Sequence, residues 1–366
     1  MHTRREFLTA AAAAALPDTK GEWRNRQSEM SYRRLGRTGY MISEIVMGGN
    51  PIAPDAWEHV LLALDSGLNY LDTAPAYGRG KSQQGYARVI ASRKRDQFFL
   101  NSKVSVWDGN RNQLYKDIFD SLPEAEQKRF RAEAQEEIQR RGVLEPDYLG
   151  GYFPGQRGEI EAAVLADLMA AKYGHKIDRD KNYRKIVLES VDQSLKTLGT
   201  DHLDLLMCPH GASTPYEIQN HPEIFEAFET LKKQGKVRHL GVSAHNDPAG
   251  ILNAAIDSKV YSAAMVAYNI VNHRFVDQAL ERARKSDFGV IAMKAARPVF
   301  PGRRTPVAVD PKRLKLIEDA VPGPLKIPQK AYTWVLRNPN LSAVVSEMAS
   351  AAQVLDDLPL GRPKKP

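Results

Sequence analysis

Four side chains capable of acid–base chemistry stand at or just after short apolar runs: Asp72, Tyr77, Lys103 and His210. A phenol has an ordinary pKa near ~10, so it exchanges protons poorly at neutral pH unless a neighbouring ammonium favours its ionised form. We expect Lys103 to lower the pKa of Tyr77 in this way, and Asp72 to keep Lys103 charged and oriented. His210 can donate a hydrogen bond to a substrate oxygen as charge develops there. This set predicts proton transfer to or from an oxygen, with no metal ion required.

These four side chains can act together only if the fold brings them to one place. From Tyr32 onward, short apolar runs alternate with helical patterns, which is typical of parallel βαβ units. Eight runs have the length of strands: 44–47, 69–72, 98–103, 203–207, 237–242, 263–267, 289–293 and 341–345. They predict an α/β fold of the (β/α)8 TIM barrel type, in which active sites lie at the carboxyl ends of the strands. The glycines after the first run do not form the GxGxxG pattern of an open dinucleotide-binding sheet.

Two additions to the barrel are expected. Residues 32–41 have the pattern of a β-hairpin with glycine at its turn, which would close the bottom of the barrel. About 75 residues, roughly 104–178, separate the third strand from the helix before the fourth, more than a barrel connection needs. We therefore predict a mainly helical insertion there. Ser121 to Glu124 has the pattern of a capping box for a helix that stops at Gly142, a second helix is expected from about 158 to 173, and a loop at 148–155.

Length, composition and charge exclude several classes of protein. The chain has 366 residues, 42% of them hydrophobic and 26% charged, which supports a large packed core and excludes wholesale disorder. The 52 Lys and Arg residues exceed the 44 Asp and Glu residues by 8, but they are scattered, so nucleic acid is not an expected partner. A single cysteine, Cys208, permits neither an intramolecular disulfide nor a cysteine-based zinc site. No charge-free apolar segment reaches the ~18 residues that span a bilayer.

The first residues have the pattern of an export signal. Thr3-Arg4-Arg5-Glu6-Phe7-Leu8 precede an alanine run at 10–15, which resembles a twin-arginine signal. We therefore expect an exported, periplasmic protein, with residues 1–30 as signal and linker and residues 31–366 as the barrel domain. The alternative is a cytoplasmic protein that begins with an alanine-rich helix. Because twin-arginine transport moves folded proteins, a cofactor could be loaded before export.

Several segments together resemble the aldo-keto reductase superfamily. The most specific are 69–78 (NYLDTAPAYG) and 190–206 (SVDQSLKTLGTDHLDLL), with support from 241–243 and 268–269. The resemblance covers most of residues 32–359. It implies the (β/α)8 barrel and a tetrad of Asp72, Tyr77, Lys103 and His210. It also implies hydride transfer between NAD(P)(H) and a carbonyl or alcohol carbon, with Tyr77 as acid or base. Sugars are among the expected small-molecule substrates.

The resemblance also assigns cofactor-binding positions, some with unusual residues. They are Gly48, Gly49, Asn50, Asp72, Ser243, Met293, Lys294, Arg297, Ser346, Met348, Asp356 and Asp357. The family's serine–asparagine pair reads Ser243-Ala244, its glutamine appears as Met265, and the tyrosine that often stacks on nicotinamide appears as Met293. Residues 346–353 lack the basic side chains that many members place on the 2′-phosphate of NADP, and Glu347 would repel that phosphate. We therefore expect NAD(H) rather than NADP(H), with Lys294 and Arg297 near the pyrophosphate.

The family often closes its substrate pocket with a long C-terminal loop, whereas this sequence ends soon after Leu360. The predicted insertion begins beside Lys103 on the catalytic face, so we expect it to act as a lid. Its aromatic residues could face a substrate ring or form the insertion's own core. Trp107, Tyr152 and Phe153 are the substrate candidates, and Tyr115 and Tyr148 belong to the same group.

The expected activity is that of an aldo-keto reductase-like oxidoreductase, and two other schemes use the same residues. In the first, NAD stays bound and is restored within each cycle, so that a sugar is epimerised or loses a leaving group. In the second, the barrel is a nucleotide-binding regulatory subunit without turnover. An intact tetrad argues against the second scheme. His239 and His245 have no metal-site spacing and are expected to be ordinary strand and loop histidines.

Overall fold

A small three-stranded sheet opens the described part of the chain, which in the computed structural model comprises residues 21–300 and 309–363. Strands β2 (Tyr32–Arg34) and β3 (Tyr40–Ser43) are antiparallel and form the predicted hairpin, and β1 (Glu22–Trp23) adds a parallel strand beside β3. A Cβ on Gly36, in the hairpin turn, would lie 2.1 Å from the backbone nitrogen of Gly289, where a barrel strand begins. Only glycine fits this contact, which closes the amino-terminal end of the barrel.

Eight parallel strands follow and close into a barrel, which confirms the predicted fold. They are β4 (Ile45–Gly48), β5 (Tyr70–Asp72), β6 (Phe99–Lys103), β7 (Leu203–His210), β8 (Val237–Ala244), β9 (Ala263–Ala267), β10 (Gly289–Met293) and β11 (Ala343–Ser346). Each predicted run overlaps one of them. The barrel closes where β11 pairs with both β10 and β4. Its interior is packed with apolar side chains from alternate positions, including Val46, Tyr70, Phe99, Leu205, Met207, Met265, Ile291 and Met293.

Helices connect the strands and surround the barrel. They are α1 (Glu58–Asp65), α2 (Lys81–Ser92), α3 (Trp107–Asp120), α4 (Glu124–Arg141), α5 (Pro146–Leu149), α6 (Gln156–Tyr173), α7 (Lys185–Leu198), α8 (Pro215–Gln219), α9 (Pro222–Lys233), α10 (Pro248–Ser258), α11 (His273–Lys285), α12 (Pro311–Ala320), α13 (Ile327–Leu336) and α14 (Ala351–Asp357). Between residues 21 and 363, leaving out 301–308, no helix has the length and apolar character needed to cross a membrane.

Residues 104–178, called the helical segment below, contain α3 to α6. Helix α4 ends at Gly142 as predicted, but Ser121 does not cap its start. Ser121 instead ends α3, and Pro123 stands at the N-cap of α4 without a side-chain hydrogen bond. A capping pattern in the sequence cannot tell the start of one helix from the end of the helix before it when only a few residues separate them.

Two polar contacts and one ring stack fasten the helical segment to residues that follow barrel strands at their carboxyl ends. Arg141 forms an ion pair with Asp247, and the hydroxyl of Tyr148 donates to the same carboxylate at 2.7 Å. The ring of Tyr148 also stacks on Phe275, with centroids 4.8 Å apart. Because these contacts involve the loops after β8 and β9, the segment lies over one side of the barrel mouth. Of the predicted export signal and linker at residues 1–30, residues 1–20 lie outside the described residues, so export stays a prediction.

Candidate active site

Three of the four predicted catalytic side chains meet at the carboxyl ends of β5 and β6. Lys103 is buried and forms an ion pair with Asp72, and its ammonium also donates to the carbonyl oxygen of Thr73 at 3.2 Å. The hydroxyl of Tyr77 lies 3.5 Å from Oδ2 of Asp72, and Nζ of Lys103 lies 4.6 Å from the centroid of the Tyr77 ring. The phenol therefore stands beside an ion pair at the mouth.

His210, the fourth member, ends β7 and faces Tyr77 across the mouth. The two rings are perpendicular, with centroids 5.7 Å apart. Ser105, the second residue after β6, lies with its hydroxyl 2.9 Å from Nδ1 of His210. When this hydroxyl donates to Nδ1, the ring proton is on Nε2, which is then a hydrogen-bond donor. The structure thus brings together all four residues that the sequence singled out.

Burial dominates the electrostatics of this group. It raises the pKa of Asp72 and lowers that of Lys103, and in each case the partner's charge opposes the effect. Burial, followed by the charge of Asp72, raises the pKa of Tyr77 well above its ordinary value. The expectation that Lys103 lowers this pKa was wrong, because burial, the largest effect, and then the negative charge of Asp72 both favour the neutral phenol. Tyr77 is therefore a neutral phenol, which suits a proton donor.

The imidazole of His210 is also neutral. Burial, with the charges of Lys103 and Lys294, lowers its pKa to about 3. A histidine in an unfolded chain binds its proton near pH ~6.5. Between these values the unfolded state holds more protons than the folded state, so the free energy of unfolding falls as pH decreases from about 6.5 toward 3.

We expect His210→Gln to reduce this acid-side loss of stability, because glutamine can keep a hydrogen bond to Ser105 but does not titrate. The measurement is the denaturant midpoint of unfolding at pH 7.5 and pH 4.5 for both proteins. Exposed His175 offers the control substitution, His175→Gln, which should leave the difference between the two midpoints unchanged. An equal loss of midpoint in His210→Gln and the native protein would contradict the prediction.

The predicted cofactor positions after β4 and β8 lie on the same rim. Gly48 ends β4 and pairs with Asp72, Gly49 is buried, and Asn50 is exposed. A Cβ on Gly49 would lie 2.1 Å from the carbonyl oxygen of Asp72, so glycine is required for β4 to run this close to the end of β5. Ser243 is buried near the end of β8 and pairs with both His210 and Met265.

Met293 ends β10, and Lys294 follows it. The side chains of Met293 and Met265 belong to the apolar cluster inside the barrel. Lys294 has φ +59°, a conformation unusual for a residue with a Cβ. Burial and the charge of Arg297 lower the pKa of Lys294, while Glu347 opposes them. Two cations and one carboxylate therefore share this side of the mouth.

The remaining cofactor candidates follow β11 and are engaged within the protein. The hydroxyl of Ser346 donates to Asp357 at 2.8 Å, and the backbone carbonyl of Met348 contacts Nε2 of His59 at 3.0 Å. Asp356 accepts a hydrogen bond from the ammonium of Lys326 at 2.5 Å. Residues 346–353 contain no basic side chain. The structure nevertheless places a cation close by, because Lys326 at the start of α13 pairs with Asp356.

Of the three aromatic substrate candidates, only Phe153 is partly exposed near the site. Trp107 is buried in the helical segment, where its ring packs at 5.1 Å from both Tyr183 and His221. Tyr152 is buried too, and its hydroxyl accepts from Asn269 at 2.9 Å. The substrate role was therefore wrong for Trp107 and Tyr152, which hold the segment together and to the barrel. The Phe153 ring lies 5.6 Å from that of His245.

Two polar partners of the tetrad were not found from the sequence. Asn101 donates to Oδ1 of Asp72 from its position two residues before Lys103 on β6. That spacing puts both side chains on one face of the strand, a signal that could have identified it. Ser105 had no such signal, because it follows the strand in a loop. In residues 21–300 and 309–363, no three His, Cys, Asp or Glu side chains are grouped so that they could hold a metal ion.

Comparison with known proteins places this site in a family. The profile of the Aldo/keto reductase family matches residues 44–150 and 167–308, more than half of the chain. The chain belongs to the aldo/keto reductase family. It is an aldo/keto reductase-like oxidoreductase, and NAD(P)H-dependent oxidoreduction is the general activity of such proteins. Residues 151–166, between the two matched parts, lie within the helical segment.

Individual relatives of this aldo/keto reductase are distant. The uncharacterized oxidoreductase YqkF of Bacillus subtilis is 20% identical over 351 residues, which cover 90% of each chain. The 6-dehydroglucose reductase of Agrobacterium fabrum is 33% identical over 93 residues, 25% of this chain and 30% of that protein.

Two solved structures show the same fold. Aldo-keto reductase AKR11C1 from Bacillus halodurans, in its holo form, has a TM-score of 0.59 at 20% identity and covers 90% of both chains. An aldo-keto reductase from Klebsiella pneumoniae in complex with NADPH has a TM-score of 0.54 at 17% identity, with 90% of this chain and 89% of that one covered.

Proposed function

We propose that this protein transfers a hydride between a nicotinamide cofactor and a carbonyl or alcohol carbon, with Tyr77 exchanging the proton on the oxygen. The observation that carries the proposal is the neutral phenol of Tyr77 beside the buried Lys103–Asp72 ion pair, with the His210 ring 5.7 Å away. In the reductive direction a neutral phenol is the required acid. In the oxidative direction the phenolate form of Tyr77 accepts the proton from the alcohol, which regenerates the phenol.

Each of the other three side chains has a part in this proton transfer. Lys103 stabilises the phenolate that forms when Tyr77 gives up its proton, because the ammonium is close to the ring. Asp72 orients Lys103 and keeps its charge balanced in a buried place. His210, neutral and held by Ser105, donates from Nε2 to the substrate oxygen as negative charge develops there.

The residues at the mouth fit a dinucleotide. Lys294 and Arg297 are both cations, and the charge of Arg297 lowers the pKa of the largely buried Lys294. A pyrophosphate would relieve this repulsion. Met265 and Met293 give the upper end of the barrel an apolar floor, and Ser243 adds a hydroxyl beside it. When bound, the nicotinamide ring supplies or accepts the hydride.

NAD(H) is the proposed cofactor. The charge of Glu347 acts on Lys294, so this carboxylate lies near the cations that would receive the dinucleotide. A 2′-phosphate there would meet a like charge. Lys326, which pairs with Asp356 after β11, is a feature that favours NADP(H) instead.

A cofactor assay tests the proposal. The purified protein is expected to oxidise NADH when aldehydes, ketones or sugars are added, and to bind NADH about tenfold more tightly than NADPH, a difference of about 1.4 kcal/mol. Fluorescence titration measures both affinities. Glu347→Gln removes the carboxylate that would repel the 2′-phosphate, so it should narrow the difference between the affinities for NADH and NADPH. Tighter binding of NADPH would overturn the preference, and no cofactor oxidation with any carbonyl compound would overturn the activity.

A sugar or a related hydroxylated compound is the proposed substrate, and the helical segment is proposed to cover it. The local similarity to 6-dehydroglucose reductase supports a sugar, although it spans only 30% of that protein. Phe153 offers a partly exposed ring beside His245 for the carbon face of such a compound. The contacts of Arg141 and Tyr148 with Asp247 support the segment as a fixed cover over one side of the mouth.

A further inference from the structure

Two polar side chains outside the tetrad lie on the side of His210 that faces the helical segment. Asp108, in the first turn of α3, is half-buried, and its Oδ1 is buried without a hydrogen-bond partner among the described residues. His245, just after β8, is also half-buried, and its Nδ1 is likewise buried and unpartnered within that part of the chain. Such atoms are costly to bury without a partner. Each side chain therefore has hydrogen-bonding capacity that the described residues do not use.

The surrounding contacts put both side chains on one side of the mouth. Oδ2 of Asp108 lies 3.4 Å from where a Cβ of Gly211 would be, and Gly211 directly follows His210. The backbone nitrogen of Gly211 donates at 2.8 Å to the carbonyl oxygen of Ser243, two residues before His245. Asp108 therefore adjoins the loop after β7, and His245 stands on the neighbouring loop.

Further groups from α6 and the loop before it complete this side. The carboxyl of Glu159 is in hydrogen-bond contact with the side chain of Asn246, which follows His245. Glu159 is also close enough to act on the charge of Asp108. The ring of Phe153 packs edge-on against that of His245 at 5.6 Å. The helical segment and the barrel thus contribute to one polar surface with an aromatic edge.

Burial favours the uncharged form of both side chains. Burial, then the charge of Glu217 and that of Glu159, raises the pKa of Asp108 well above its ordinary value, although Arg111 opposes this. Burial and the charges of Lys294, His210 and Lys103 lower the pKa of His245 well below its ordinary value. A protonated carboxyl and a neutral imidazole can each donate one hydrogen bond and accept another.

We propose that Asp108 and His245 form a subsite that binds a hydroxyl group on the carbon next to the reacting carbon. The substrate is then an α-hydroxy carbonyl compound or the corresponding vicinal diol, and Phe153 contacts its carbon skeleton. This inference rests on the proposed function, because it places the subsite beside the reaction at Tyr77 and His210. A cationic substituent would be repelled by Lys103 and Lys294, whose charges act on His245.

Turnover of a matched pair of ketones tests the subsite. The probes are 2-hydroxycyclohexanone and cyclohexanone, which differ by one hydroxyl group. A site built to hydrogen-bond a hydroxyl discriminates against the analogue that lacks it, so we expect kcat/KM to favour the hydroxyketone at least tenfold. Asp108→Ala and His245→Phe should each reduce this preference to about threefold or less. Asp108→Asn, which keeps a donor and an acceptor, should retain it. Exposed Asp117 on α3 provides the control, Asp117→Ala.

A binding measurement separates failure of the subsite from failure of the proposed function. Ligand-observed NMR compares cis-1,2-cyclohexanediol with cyclohexanol and needs no turnover. Preferred binding of the diol that is lost in Asp108→Ala supports the subsite even if neither ketone reacts, in which case only the proposed activity fails. Equal binding of the two alcohols, or a preference that survives both Asp108→Ala and His245→Phe, overturns the subsite.

Discussion

Turnover by Tyr77→Phe is expected to fall about 10² to 10⁴-fold in kcat, the range that a positioned general acid contributes. Phenylalanine keeps the ring beside His210 and Lys103 but has no proton to give. Because the ring stays, the affinity for NADH should change by less than about threefold. Steady-state kinetics with a reactive carbonyl compound, together with fluorescence titration of NADH, measure the two quantities separately.

Tyr86→Phe is the matched control for this change. Tyr86 lies on α2, is buried, and its hydroxyl has no hydrogen-bond partner in residues 21–300 and 309–363. Removing that hydroxyl also turns a buried phenol into phenylalanine, but at a place without a role in proton transfer, so kcat should stay within a few-fold of the native value. If Tyr77→Phe kept kcat within the same few-fold range, Tyr77 would not be the proton donor.

Arg111→Leu is expected to lower the free energy of unfolding by about 3–5 kcal/mol, the usual cost of removing one partner from a buried ion pair. Arg111 on α3 is fully buried. It pairs with Asp167 on α6 and, at 3.2 Å, with Glu217 on α8, and its Nε donates to Nε2 of His221 at 3.1 Å. Leucine would leave two buried carboxyls without their cation. Denaturant unfolding measures the loss.

The loss of unfolding free energy in Arg111→Leu should also depend on pH, and it should grow as pH rises. Burial and the charge of Asp167 raise the pKa of Glu217 to about 7 even with Arg111 opposing them. Without Arg111 both carboxyls should bind protons more tightly when folded than unfolded, so the variant should lose further stability as pH rises from 5 to 8.

Arg157→Leu is the control for this pair of predictions. It removes an exposed guanidinium that lies 3.8 Å from Glu161 on α6, a contact worth little. Adding Glu217→Gln to Arg111→Leu should recover part of the stability. A loss below about 1 kcal/mol, independent of pH, would mean that Arg111 does not hold the helical segment to the barrel.

The positions of the tetrad could be predicted from the sequence because they depend on strand ends. Asp72, Lys103 and His210 each end a run of apolar residues, and in a closed parallel barrel such ends share one face. The sign of the Tyr77 pKa shift could not be predicted this way. It depends on how deeply the phenol is buried and on whether Asp72 or Lys103 lies nearer to its oxygen, and neither follows from residue order.

The roles of side chains in the helical segment were harder to predict, because they too depend on burial. Its aromatic content agreed equally with a substrate surface and with an internal core, and only packing decided that Trp107 and Tyr152 are buried while Phe153 is not. Asp108 carried no signal, because its proximity to His210 arises when the segment docks on the barrel. His245 follows β8 as an ordinary loop residue would.

The small sheet at the amino-terminal end of the barrel determines where a tag or a support can be joined without covering the active site. Strand β1 is held beside β3, and the next residue, Arg24, donates at 2.7 Å to the carbonyl oxygen of Phe98, just before β6 begins. Gly21 therefore lies on the side opposite Tyr77. An affinity tag, a fusion partner or a solid support joined directly at Gly21, in place of residues 1–20, should leave the entrance for substrate open to solution.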